Sequence, residues 1–338
     1  MSIDLTRPSL FRSILYFGLL YALFCFREYG AAQAFGVGTA DAAMAGLMPL
    51  GQWLAEWFAV HTVWNEIVSF LLCLLNAFYL TRILARNLIY RERTYIPALI
   101  YLIVARGYAL SGGTIIGLAV AFLLILAFDN MIQSHGRAHY SGYFLHAGVA
   151  LGLAPILYAP AVVFLLLLPL GFMLFRQNGR NVVIALLGYL LPIFFASYIL
   201  WGMGDDFGAT LRQLFASLVT SASEGGLPGV IARMGPWDYG LLGLLLLLTV
   251  TALVQFGQNR ESMRRRALRG NTLLVWMLIL AVGMTALPGR SAVVLPIVAV
   301  PLAAIIPACF NRRTGWWPNL LYALMIGSII GYNIYLIW

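Results

Sequence analysis

An all-α bundle of membrane-crossing helices is the fold this sequence predicts, and three observations predict it. Of 338 residues, 62% are hydrophobic and only 10% charged, where a soluble domain carries about a quarter charged. The apolar residues gather in runs close to the roughly 20 residues that a spanning helix needs. Those runs are continuous, not alternating with polar residues, which excludes an outer-membrane barrel. A mean hydropathy of +0.88 agrees. A cytosolic enzyme, a disordered tail and a nucleic-acid-binding domain are all excluded by the same composition.

The apolar runs fall at residues 9–26, 64–84, 95–110, 113–128, 142–158, 160–175, 182–201, 238–256, 272–288, 291–310 and 318–338. They predict a polytopic bundle of about 11 spans, within a range of about 9–12 because 95–110 and 113–128 are short. Residues 1–338 read as a single integral membrane domain. Arg7 and Arg12 ahead of an apolar stretch imitate a signal peptide. No small-x-small site follows at once, so a retained first span is expected.

Arginine supplies the orientation. All 21 basic residues are arginine, which excludes chemistry that needs a lysine. With the N-terminus in the cytoplasm, the inner segments hold 16 arginines and four acids, and the outer segments hold five arginines and eight acids. The long loops thus obey the positive-inside rule under one assignment, N-in and C-out. The expected location is a bacterial inner membrane. The five arginines of inner loop 257–271 suit anionic lipid. Cys25, Cys73 and Cys309 stand singly in apolar runs, so neither a disulfide framework nor a thiolate metal site is expected.

Two outer loops are longer than a connection needs. In the first, 27–63, apolar positions recur every three or four residues (Met44, Leu47, Met48, then Leu50, Leu54, Trp57, Phe58). This predicts an amphipathic interfacial helix, capped near Thr39 or Asp41 and interrupted near Pro49. The second, 202–237, mixes glycine and acids with a short amphipathic run, Leu211, Leu214, Phe215 and Leu218. Trp53, Trp57, Trp64, Trp201 and Trp237 stand at span ends, as interfacial anchors do.

Charges at membrane depth or at the outer ends of spans are the candidates for chemistry. Arg27-Glu28-Tyr29 closes the first span. Glu28 is the candidate catalytic carboxylate, as general base or metal-linked group, and the alternative is an interfacial ion pair that ends the helix. Arg106 and Arg290 lie in short outer connections, where guanidinium groups grip a phosphate or snorkel to the headgroups. Pro288-Gly289-Arg290-Ser291 adds the backbone donors of a following helix start. Tyr158, in the outer hairpin of residues 153–160, and His61, in the first outer loop and suited to proton transfer, complete the phosphate-binding candidates. Asp205-Asp206 is the candidate site for a divalent cation, for which further oxygen ligands are needed, and the alternative is a solvated loop start; the residues name no other cofactor. His135 and His139 lack the third ligand of a zinc site.

Certain landmarks carry a resemblance. They are Asn76, Tyr95-Ile96-Pro97-Ala98-Leu99-Ile100-Tyr101, Leu110-Ser111, Asp129-Asn130, Gly148-x3-Gly152-Leu153, Leu157-Tyr158-Ala159-Pro160, Phe175-Arg176 and Gly188-x3-Pro192. Across about 130 residues the chain resembles an uncharacterised family of polytopic inner-membrane proteins of Bacteroidetes-type bacteria, which transfers no catalytic set. More loosely it is similar to polyprenyl-phosphate-dependent C-type membrane glycosyltransferases. That likeness rests on N-in topology, Glu28 early in a long first outer loop, the interfacial helix after it, and outer arginines. It departs in lacking an acidic pair in the first loop and a large soluble outer domain.

Three functions in cell-envelope biogenesis therefore stand side by side. One is a glycosyltransferase-like enzyme acting on a polyprenyl-phosphate-linked substrate at the outer face. Another is a lipid flippase or transporter. The third is a non-catalytic scaffold, for which Gly36-x-Gly38 and Gly327-x3-Gly331 suit close helix contact. The partners expected are membrane lipid, a polyprenyl-phosphate carrier, and a packing helix or second copy of the chain; nucleic acid is not among them.

Overall fold

A backbone in hydrocarbon must satisfy its polar groups internally, and among the described residues every regular element of this chain is helical. The computed structural model describes residues 10–34, 46–87, 89, 95–107, 115–134, 142–204, 206–219, 236–258, 265–286, 293–310 and 316–337. The α-helices in chain order are α1 (Leu10–Ala34), α2 (Pro49–Val60), α3 (Thr62–Arg86), α4 (Ile96–Arg106), α5 (Ile115–Gln133), α6 (Gly142–Leu157) and α7 (Leu167–Phe175). They continue as α8 (Gly179–Gly202), α9 (Ala209–Val219), α10 (Pro236–Gln258), α11 (Arg265–Ala286), α12 (Val294–Ile305) and α13 (Trp316–Ile337). A 3-10 segment at Ala159–Leu166 leads into α7, and another at Ile306–Phe310 extends α12.

Five stretches are long and apolar enough to cross a membrane: Thr62–Arg86, Ile115–Gln133, Gly179–Gly202, Tyr239–Gln258 and Arg265–Thr285. The chain is a membrane protein. Six shorter apolar helical stretches accompany them, so each apolar run of the sequence coincides with a helix.

Two boundaries differ from expectation. The first span does not stop at Arg27-Glu28-Tyr29, because α1 continues to Ala34. Charges do not break a helix, and Ala31, Ala32, Gln33 and Ala34 are strong helix formers. The amphipathic helix expected in the first outer loop starts later than its apolar stripe implies. Pro49 takes the first helical position and holds Met48 extended (φ −84°, ψ 165°). Leu47 and Met48 are therefore not on the helix. Leu47 bridges to Tyr158, Met48 N–H donates to the Leu157 carbonyl at 3.3 Å, and Ala159 N–H donates to that of Gly46 at 2.9 Å. These bonds pin α2 over the end of α6, leaving Leu50, Trp53, Trp57 and Val60 exposed. Thr39 and Asp41 lie outside the described residues.

Through one face, helix α3 ties together α1, α4 and α5. Tyr21 and Cys25 late in α1 meet Glu66 early in α3, so the two are antiparallel. Arg106 at the end of α4 meets the same Glu66, which makes α4 antiparallel to α3 as well. Asn76 reaches Leu118 early in α5, and Arg86 reaches Asp129 late in it, so α3 and α5 run parallel. The bundle thus has a Glu66 end and an Arg86 end.

Helices α6 and α8 form the most intimate pair. A Cβ on Gly148 would sit 2.2 Å from the Ala185 carbonyl oxygen, one on Gly152 2.2 Å from that of Tyr189, and one on Gly188 2.6 Å from that of Leu145. Backbone lies on backbone here, through small residues spaced by four. The landmark Gly148-x3-Gly152 is thereby a packing surface. Since a side chain at these positions has only backbone to displace, Gly152→Leu is expected to lower stability by about 1–3 kcal/mol or more. Thermal unfolding in detergent, beside Gly283→Leu (no atom within 4 Å of its Cβ) as control, checks this; equal melting temperatures would refute the contact.

Candidate functional site

Polar residues recur on α3 at alternating steps of three and four: Glu66, Ser69, Cys73 and Asn76, followed on the same stripe by Leu80 and Ile83. That spacing keeps them on one face. The face turns inward, since Ser69, Cys73, Asn76, Leu80 and Ile83 are all buried. A polar half of the stripe lies toward the Glu66 end and an apolar half toward the Arg86 end.

Arg106 closes the polar half. Its side chain is 1% exposed, and its Nη1 lies 3.4 Å from Glu66 Oε2, whose side chain is 48% exposed. The guanidinium carbon stands 4.9 Å from the centre of the Tyr21 ring, a cation–π contact. Cys25 Sγ lies 3.8 Å from Arg106 Nη1 and 3.6 Å from Glu66 Oε2. The Tyr21 hydroxyl donates to the Glu66 carbonyl at 3.5 Å. Asn333 of α13 donates to the Gly107 carbonyl at 3.1 Å, tying a further helix to the same corner. Deeper in, Asn76 Nδ2 donates to the Tyr101 hydroxyl at 3.0 Å and to the Leu118 carbonyl at 2.8 Å.

At the other end Asp129 is buried (side chain 4% exposed) and pairs with Arg86, which is 44% exposed. Tyr79 and Gln133 each donate to Asp129 Oδ2 at 2.9 Å. The two ends mirror each other. Each buries one charge and keeps its counter-charge at the rim, where a long side chain reaches water or headgroups.

The candidates read from the sequence are distributed as follows. Arg106 is the last residue of α4 and is buried, not set in an open connection; its guanidinium packs on the Tyr21 ring of α1 and pairs with Glu66 of α3. Glu28 falls within α1, but its side chain lies outside the described residues, as do Asp205, Arg290 and the His135–His139 segment. His61 is the exposed junction between α2 and α3, its ring 4.7 Å from that of Trp57. Tyr158 is fully buried beside the Leu47 bridge. Asp206 is exposed and pairs with Arg212. Among the described residues no three His, Cys, Asp or Glu side chains converge as metal ligands. The sequence reading missed Glu66 as Arg106's partner and Asp129 as a buried acid. The three-four spacing of Glu66, Ser69, Cys73 and Asn76 was the signal for the first.

Comparison with family models, with curated proteins and with solved structures finds no match to this chain. The chemistry of the site therefore rests on its own residues.

Removing a rim charge strands its buried partner. Arg86→Ala is expected to cost about 3 kcal/mol, and the double change Arg86→Ala with Asp129→Leu to recover more than half of it. Unfolding of the variants in one detergent measures both; a double variant no more stable than the single would show that Asp129 is not held by the pair.

Proposed function

We propose that this chain is a multi-pass protein of the bacterial inner membrane that acts on a polyprenyl-phosphate-linked substrate at the outer face during cell-envelope biogenesis. The reading takes the eleven apolar helical stretches as eleven crossings, N-in and C-out, and places the chain with the Bacteroidetes-type inner-membrane family it resembles. One observation carries it. Arg106 is a permanently charged group buried at the Glu66 end and fixed by Glu66, Tyr21 and Cys25. A guanidinium held in place offers bidentate donors to a phosphate at little further ordering cost.

In this reading Arg106 is the phosphate partner and Glu66, half-exposed beside it, is the carboxylate that yields when an anion arrives. Arg290 is the second phosphate partner of the reading. Glu28 supplies the base, and Asp205-Asp206 a divalent cation, in the glycosyltransferase-like form of the reading. The amphipathic α2, with Trp53 and Trp57 exposed, lies in the outer interface above the entry side.

A scaffold is the second reading, favoured by one feature. On α13 a Cβ at Gly327 or Gly331 would meet nothing within 4 Å, so this small-residue face is open to a partner helix or a second copy.

The purified chain in nanodiscs is expected to retain added polyprenyl phosphate over free polyprenol in native mass spectrometry. Arg106→Gln is expected to reduce that retention at least about tenfold, the loss of a charge-assisted contact of about 1.5–3 kcal/mol. Equal retention of phosphate and alcohol by the wild type would end the enzymatic reading. A reporter fused after Arg290 is expected to act only outside the cytoplasm, and cytoplasmic activity would reverse the orientation.

A further inference from the structure

Two buried polar atoms on the α3 stripe have no hydrogen-bond partner among the described residues: Ser69 Oγ and Asn76 Oδ1, in side chains 0% exposed. Neither is explained by local geometry. A hydroxyl on a helix ordinarily bonds back to the carbonyl four residues before it. Thr81 does so on this same helix, to Ala77 at 2.8 Å, as do Thr249 and Thr272 elsewhere. Ser69 does not. Nor does turning the Asn76 amide over help. Its Nδ2 already donates to the Leu118 carbonyl and to Tyr101, so exchanging oxygen and nitrogen would set two acceptors face to face. An unsatisfied buried polar atom costs about 1–3 kcal/mol, and two on one stripe mark a place that something fills.

We propose that the α3 stripe binds a file of internal water that enters beside Glu66, passes Cys73 and ends at Asn76. Ser69 and Asn76 are seven residues apart, two helical turns or about 10 Å along the axis. The groups along that length are mixed: a carboxylate at Glu66, a hydroxyl at Ser69, an amide oxygen at Asn76 and the Tyr101 phenol against it. A ligand that both donates and accepts, and is one heavy atom wide, suits such a seam, and buried water commonly makes about three hydrogen bonds of this kind. An anion would oppose Asn76 Oδ1, and a bulkier solute would displace the buried Cys73.

The file has one open end. Below Asn76 the stripe continues as Leu80 and Ile83, both buried and apolar, so water stops within the bundle and does not cross it. The inference does not depend on any phosphate substrate. It makes the Glu66 carboxylate the mouth of a hydrogen-bonded path two turns deep.

Radiolytic hydroxyl-radical labelling of the full chain in nanodiscs, read by mass spectrometry, tests this, because radicals form where water is bound. Cys73 and Tyr101 are expected to oxidise at least about tenfold faster than Cys309 and Tyr322, whose burial is comparable but which lie off the stripe. Ser69→Ala should bring Cys73 down toward the Cys309 rate, and Ser69→Thr, which keeps the hydroxyl, should leave it near wild type. Cys73 and Tyr101 reacting no faster than their controls in the wild-type chain would overturn the proposal, as would equal labelling in Ser69→Ala. Failure here leaves polyprenyl-phosphate retention through Arg106 untouched, so the two readings fail separately.

Discussion

A polar group placed at membrane depth has to find its partner within the protein, and that requirement runs the length of α3. Glu66 engages α1 and α4 through Tyr21, Cys25 and Arg106. Asn76 joins α4 to α5 through Tyr101 and the Leu118 carbonyl. Tyr79 and Arg86 take hold of Asp129 on α5. Each tie is specific in register, because a shift of one residue would swing α3's polar face by about 100° and leave all of them without partners. Apolar contacts supply most of the attraction between these helices, but they would tolerate neighbouring registers. The polar ties select one.

The two ion pairs share a design suited to a bilayer. Burying both members would ask for two desolvations, each costing several kcal/mol. Exposing both would give a weak surface pair worth about 0–1 kcal/mol. Holding one inside and its partner at the rim keeps the attraction strong on one side and leaves half of the pair solvated. The buried member differs between the ends, an arginine at one and an aspartate at the other. The Glu66 end therefore carries a fixed interior positive charge and the Arg86 end a fixed interior negative one, and α3 links them.

Much of the architecture is written locally in the chain. Helix positions follow from runs of apolar residues, and the start of α2 follows from Pro49, once the restriction it imposes on Met48 is considered. Gly148-x3-Gly152 and Gly188 are visible as motifs, although their meaning as a backbone contact needs both helices. The site was less legible. Arg106 and Glu66 are 40 residues apart and Arg86 and Asp129 are 43 apart, and no periodicity within one helix announces a partner on another. Position along a span also misleads: Arg106 near a glycine reads as a loop residue, and only packing against α1 shows that it is interior. The stripe on α3 is the exception, since Glu66, Ser69, Cys73 and Asn76 share a face by arithmetic alone.

The parallel pairing of α6 and α8 bears on biogenesis. Parallel neighbours cannot be joined by a tight hairpin, so α7 has to traverse the bundle between them before Gly148 can meet Ala185. A nascent chain halted ahead of α8 would present the glycine strip of α6 to the bilayer as bare backbone, open to capture by the wrong segment. Surveillance by membrane proteases would meet that intermediate first, and the speed with which α8 leaves the translocon becomes a determinant of yield.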